Sequence, residues 1–234
     1  MTIAFDAATT AFFTGDLVGA TLQHTPVGTP RGIICLIAQN LASDEITTVQ
    51  YGGITMTEVT GSPLLGAAGD EPMTCYGHFL GAGIPAGVQN VEVDTTNTRA
   101  KTLMLISVTA AADTEIDATQ TLDTVVQNPS LTLATTASTN TFDVAILGTG
   151  VNAVTNVAPG AAYTQRMEQA IVGGARCSNG MNKTTNGTGG NITVDWTTDT
   201  SEDALVLAVA IREIAGAGGA TVVDPFGMSG IFGG

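Results

Sequence analysis

The chain has 234 residues, 44% of them hydrophobic but only 12% charged and 5% aromatic, so it can fill a large core while its surface must be built mostly from Thr, Asn, Ser and Gln. Its formal charge is −14, and its few cations (Arg31, Arg99, Lys101, Arg166, Arg176, Lys183, Arg212) are scattered singly. Phosphate recognition needs clustered cations, which argues against nucleic acid and anionic membrane as partners.

The N-terminal stretch "MTIAFDAATTAFF" has no basic n-region and carries Asp6, so it does not read as a secretory signal. Residues 1–16 read as an arm or strand that precedes the body, with Ile3, Phe5, Phe12 and Phe13 as contact residues. "TIAFDA" has the composition to add as a strand to a neighbour's sheet. From residue 17 onward no apolar period near 3.6 is sustained, and strand signals recur instead. "ATLQHT" (20–25) is a weak strand, whereas "GIICLIAQ" (32–39) is apolar on both faces. It predicts a central strand covered on both sides, or one whose outer face meets another subunit. "TVQYGGITMTEV" (48–59) predicts a hairpin, with Gly52 and Gly53 supplying the positive φ that a tight turn requires and Tyr51 packed beside it.

"MTCYGHFL" (73–80) and "NVEVDTT" (90–96) are further strands, and "TLMLISVT" (102–109) is again apolar on both faces. "DTEID" (113–117) reads as a solvated acidic loop: it lacks the glycine and the downstream bidentate glutamate of a calcium loop. "SLTLATT" (130–136), "FDVAILGTG" (142–150), "AAYTQRME" (161–168) and "AIVGGARC" (170–177) follow as strands. "NITVDWTT" (191–198) alternates cleanly, with Ile192, Val194 and Trp196 on the dry face. "ALVLAVAIREI" (204–214) closes the body, and its apolar run is too short to span a bilayer. A Gly/Ala linker (216–220) then leads to an apolar arm carrying Val222, Val223, Phe226, Met228, Ile231 and Phe232. About a dozen short strands punctuated by Gly, Pro and Asn predict an all-β, two-sheet antiparallel sandwich over 17–215, jelly-roll-like, with an arm at each end.

Reactive constellations are sparse. His78 lies near Cys75 in "CYGH", but no CxxC or HxxxH spacing supplies the convergent ligands a zinc site needs. Cys35, Cys75 and Cys177 are odd in number and widely spaced, which is no disulfide framework. There is no GxSxG, and no pair of carboxylates is singled out among 21 acids. No catalytic residue, metal or cofactor is expected. A sugar-binding module remains an alternative, with Tyr51, Tyr76 and Tyr163 as the aromatic residues free to stack on a ligand.

The order of "RGIICLIAQ", "VQYGGITMTEV", "CYGHFLGAGIPAGVQNVEVDT", "LMLISVTAAADTEIDA", "SLTLATTASTNTFDVAIL" and "NITVDWTTDTSEDALVLAVAIREI" resembles a β-sandwich domain recurrent in bacteriophage virion proteins and bacterial surface proteins. The resemblance spans roughly residues 17–215. It implies a particle-surface component made in the host cytoplasm: a capsid decoration (cement) protein or, as alternatives, a tail- or collar-associated protein or a sugar-binding module for host attachment. Its partners would be copies of itself, as a trimer by analogy, and other virion proteins such as the major capsid protein.

Overall fold

The structure, a computed structural model, describes residues 3–13, 20–41, 43–66, 73–96, 99–135, 140–149, 157–161, 163–172, 176–185 and 190–214. All regular structure among them is strand, as the composition predicts. The first half runs β1 (Ala4–Phe13), β2 (Ala20–His24), β3 (Gly32–Gln39), β4 (Ile46–Tyr51), β5 (Ile54–Thr55), β6 (Thr57–Glu58), β7 (Leu64–Leu65), β8 (Thr74–Leu80), β9 (Gln89–Thr95) and β10 (Lys101–Thr109). The second half runs β11 (Thr114–Val126), β12 (Ser130–Thr135), β13 (Thr141–Thr149), β14 (Val157–Pro159), β15 (Thr164–Val172), β16 (Arg176–Thr185), β17 (Gly190–Thr198) and β18 (Glu202–Glu213).

The antiparallel sandwich forms, and it forms twice. In the first half, one sheet has the order β1-β10-β3-β8-β6, with β7 also on β8, and the other β2-β9-β4-β5. In the second half the orders are β11-β18-β13-β16-β15 and β12-β17-β14. Each half is a jelly roll: its first strand pairs with its last, and its second with its last but one. The body expected over 17–215 is thus two consecutive rolls, joined through residues 110–113.

The register repeats in detail. A bulge follows Phe5 in β1 and Ile116 in β11, skipping Asp6 in "FDA" and Asp117 in "IDA". Leu36 pairs with Gly77, and Ile146 pairs with Gly180 in the corresponding place. A Cβ on Gly77 would lie 2.9 Å from Leu207 Cδ2, and one on Gly180 would press on Met104. Met104 and Leu207 are themselves counterparts, since they pair with Leu36 and Ile146. The two inner sheets therefore face each other across a pseudo-two-fold axis, each glycine admitting a side chain from the other roll.

Three buried clusters separate the four stacked sheets. Ile34, Leu36, Met104 and Ile106 meet Val144, Ile146, Leu207 and Val209 between the rolls. Ile33, Cys35, Leu103 and Leu105 on the opposite faces of β3 and β10 pack on Val49, Tyr51, Val91 and Val93 inside the first roll. Leu147, Val206 and Ala208 pack on Leu131, Leu133, Val194 and Trp196 inside the second. This explains why β3, β10, β13 and β18 are apolar on both faces: the chain's own sheets cover both sides. Burying each such aliphatic side chain contributes about 1.5–3 kcal/mol.

Several local expectations need correction. Residues 4–13 are no free arm: β1 pairs with β10 of its own roll, so Phe5 and Phe12 pack against the core between the rolls and Phe13 against the first roll's interior. Ile3 is 1% exposed in the same core. "DTEID" is no solvated loop but the start of β11, a strand of 13 residues and the counterpart of β1. Pairing, not composition, decides both, because a sheet edge must offer its backbone groups to something. "AIVGGARC" is divided between the end of β15 and the start of β16. The hairpin at 51–54 has Gly52 at φ 56° and Gly53 at φ 78°, with Tyr51 opposite Ile54. The linker and the C-terminal arm residues Val222, Val223, Phe226, Met228, Ile231 and Phe232 lie outside the described residues.

Candidate functional site

Among the described residues, polar side chains come together in the interior of the first roll and at the flank where the edges of the two inner sheets lie one over the other.

In the first roll the β1 bulge turns Asp6 out of register, and its carboxylate takes two donors. Gly28 N donates to Oδ1 at 2.6 Å and Ser107 Oγ donates to Oδ2 at 2.7 Å. Ser107 Oγ then accepts from His24 Nε2 at 3.1 Å, and His24 Nδ1 accepts from Thr9 Oγ1 at 2.8 Å. This assignment makes His24 the neutral Nε2–H tautomer. His24 is fully buried, and burial lowers its pKa against the opposing pull of Asp6. A nucleophilic serine needs a base that accepts its proton. Here Ser107 commits its proton to Asp6 and the histidine donates, so the chain of bonds locks β1, β2 and β10 together.

His78 also faces the first roll's interior. It is 6% exposed, neither ring nitrogen has a partner, and burial pushes its pKa down to about 4. It pairs across the sheet with Cys35, whereas Cys75 packs in the core between the rolls, so the "CYGH" pair is split between opposite faces of β8. Cys35 and Cys75 are free thiols, and burial raises the Cys75 pKa to about 12. Among the described residues no group of three or more His, Cys, Asp or Glu could hold a metal ion.

The aromatic residues are committed inside. Trp196 is 1% exposed and its Nε1 donates to Asn179 Oδ1 at 3.0 Å. Tyr51 and Tyr76 are fully buried. Half-buried Tyr163 donates its hydroxyl to Thr193 O at 3.3 Å, and Lys183 lies over its ring. The acidic start of β11 is paired as well: Arg212 contacts Glu115 at 2.7 Å and Asp117 at 3.3 Å.

At the flank, β1 lies over β15. Between them is a cavity of about 300 Å³ lined by Thr10, Ala11, Phe12, Arg166, Met167 and Glu168. Arg166 is held on two sides, by Phe5 and Asn182. Its guanidinium carbon sits 3.8 Å from the centre of the Phe5 ring, its Nε donates to Asn182 Oδ1, and Met167 beside it is buried. Burial lowers the Arg166 pKa. Among the described residues it has no carboxylate partner, unlike Arg31 and Arg212. Sequence reading treated Arg166 as one scattered cation, because only the stacking of the two sheets brings it to Phe5 and Phe12.

No protein-family model matches the chain, and no curated protein matches it in sequence.

Proposed function

We propose that the chain is a structural component of a bacteriophage particle, a capsid decoration protein that acts as a homo-oligomer, trimeric by analogy, on the major capsid protein after synthesis in the host cytoplasm. The observation that carries this reading is the stack of four sheets, in which the broad apolar faces are covered within the chain and Asp6, His24, Ser107 and Trp196 are hydrogen-bonded into the frame. Such a body is suited to persist as a rigid block. The outward side chains are largely short and polar: Thr21, Gln23, Asn90 and Thr132, Thr193, Thr197 on the two opposite outer sheets. Jelly rolls recur in viral capsid and lectin domains, which supports the particle without naming its part. The lectin-like alternative has little to recommend it among the described residues, since the tryptophan and the tyrosines that would stack on a sugar are turned inward or engaged.

The test is to image assembled particles with the chain labelled and to repeat the measurement after deleting residues 221–234. Density for a two-roll body on the shell, lost or thinned on deletion, supports a decoration protein anchored by its C-terminal arm. Density at the collar or tail moves it to the alternative place, and its absence from purified particles ends the proposal.

A further inference from the structure

The flank cavity presents a mostly polar surface, and it is built on one side of the molecule only. Arg166 falls in the bulge of β15 between Gln165 and Met167, so it leaves the strand's alternation and turns across to the Phe5 ring of β1. Asn182 takes its Nε, and among the described residues no carboxylate takes the remaining guanidinium donors. Thr10 and Glu168 are exposed at the mouth of the cavity, while Met167 beneath them is buried. On the opposite flank the counterpart of Thr10 is Thr121, since they pair with Met104 and Leu207. A Cβ on Gly61 would lie 3.0 Å from Thr121 Cγ2, so there the two rolls close by direct packing.

What fits follows from the atoms on offer. Arg166 presents planar N–H donors held in place, which match a carboxylate. Glu168 Oε2 accepts from Gln165 Nε2 at 2.6 Å, and its Oε1 has no partner among the described residues. The Thr10 hydroxyl can donate or accept. Among the described residues β1 pairs only with β10, so the outer backbone groups of its edge are also open to a ligand. The guanidinium demands an anion, whereas the Glu168 oxygen and the edge carbonyls demand donors. One molecule meets both demands if it carries a carboxylate and several hydroxyls. A phosphate dianion is disfavoured, because Glu168 and the net charge of −14 oppose a second negative charge. The volume of about 300 Å³ has room for one sugar-sized molecule.

We propose that the pocket between β1 and β15 binds a hydroxylated carboxylate of the sugar-acid class, with its carboxylate on Arg166 and its hydroxyls on Thr10 and Glu168. Recognition is by charge and hydroxyl contacts, without the aromatic stacking that the inward tryptophan and the engaged tyrosines deny to a neutral sugar. One ion pair in an open pocket binds weakly, in the millimolar range. Copies repeated on a particle add avidity to such a contact. This goes beyond the proposed role in the particle and is tested on the free chain, so either can fail without the other.

Proton–nitrogen correlation NMR of the full-length chain, titrated with D-glucuronate, is the direct test, with D-glucose, acetate and inorganic phosphate as comparison probes. Glucuronate should give saturable shifts confined to the amides of 10–12 and 164–168 and to the Arg166 Nε–H. Glucose should give none, and acetate and phosphate should bind at least about fivefold more weakly. Arg166→Met, similar in length but uncharged, should weaken glucuronate binding at least about tenfold. Thr10→Val keeps the shape of an exposed side chain, leaves the fold intact and should weaken binding about threefold. The proposal is overturned by the absence of saturable shifts below about 50 mM glucuronate, or by shifts away from the flank. Equal binding of acetate, phosphate or glucose, binding that survives Arg166→Met, or binding unchanged in Thr10→Val would each overturn it as well.

Discussion

The two rolls solve one topology with different side chains. At the inward position that closes each outer sheet, β9 carries Thr95 and β17 carries Trp196, and both are buried. The second roll fills its interior with the indole and makes room with small residues, Ala145, Ala204, Ala208 and Ala210. The first roll uses mid-sized side chains, with Tyr51, Tyr76 and Met56 in its interior. Where the residue that pairs just after the bulge is Ser107 in the first roll, tied to Asp6, it is Ala210 in the second, and Asp117 turns to Arg212 instead. His78 and Met181 are likewise counterparts on β8 and β16. A jelly roll thus demands a sequence of pairings, bulges and apolar faces, while total volume and local satisfaction of polar groups can be met in several ways.

Swapping or removing the differing residues tests that reading, and all the effects below are read as shifts in chemical denaturation. The largest expected loss is Trp196→Ala, about 4 kcal/mol from the cavity and the stranded Asn179 amide, against about 1 kcal/mol for Thr95→Ala. Equal losses would mean that the rolls do not fill equivalent positions differently.

Next comes acid sensitivity. The folded protein holds His78 near pKa 4 while the unfolded chain titrates near 6.5. Between those values the unfolded chain takes up a proton that the fold refuses, so stability falls as pH drops from 6.5 toward 4 and this contribution is complete below 4. The penalty is about 3 kcal/mol. His24, also lowered by burial, acts in the same direction. His78→Met, which installs the second roll's residue, should remove the larger part of the slope over this range; an unchanged slope would place the acid sensitivity elsewhere.

A smaller contrast lies in the paired glycines. A methyl at Gly77 meets Val59 Cγ2 at 2.6 Å as well as Leu207, whereas one at Gly180 meets the flexible thioether of Met104. Gly77→Ala should cost about 2 kcal/mol and Gly180→Ala less than about 1 kcal/mol. The reverse order would show that the seam between the rolls yields on the other side. The smallest effect is expected where the rolls are linked at the surface. Arg31 contacts Asp113 at 3.4 Å with both side chains more than 40% exposed, so Arg31→Ala should cost at most about 0.5 kcal/mol.

Much of this could be read in the residues. "NITVDWTT" and the doubly apolar β3, β10, β13 and β18 are legible because alternation and its absence report directly on how many faces are covered. The duplication was legible as well, in the parallel of Asn90-Val91-Glu92-Val93-Asp94 with Asn191-Ile192-Thr193-Val194-Asp195 and of "FDA" with "IDA", but so few identities spread over about a hundred residues do not stand out without the strand order. The edge strands β1 and β11 were the least legible: the first was read as an arm or strand without its partner, and the start of the second as a loop. Each is half-buried along most of its length and interrupted by a bulge, so neither alternates.

By itself the sequence determined that the chain is built of strands, where its tight glycine turn lies, and that its cations are few and dispersed along the chain. Those properties follow from local sterics and from composition. Only the tertiary structure decided that there are two rolls, that their inner sheets cover each other, and that Arg166 stands over Phe5 beside an open sheet edge. Those are meetings between residues far apart in the chain, set by which apolar faces had to be covered, and no local pattern encodes them.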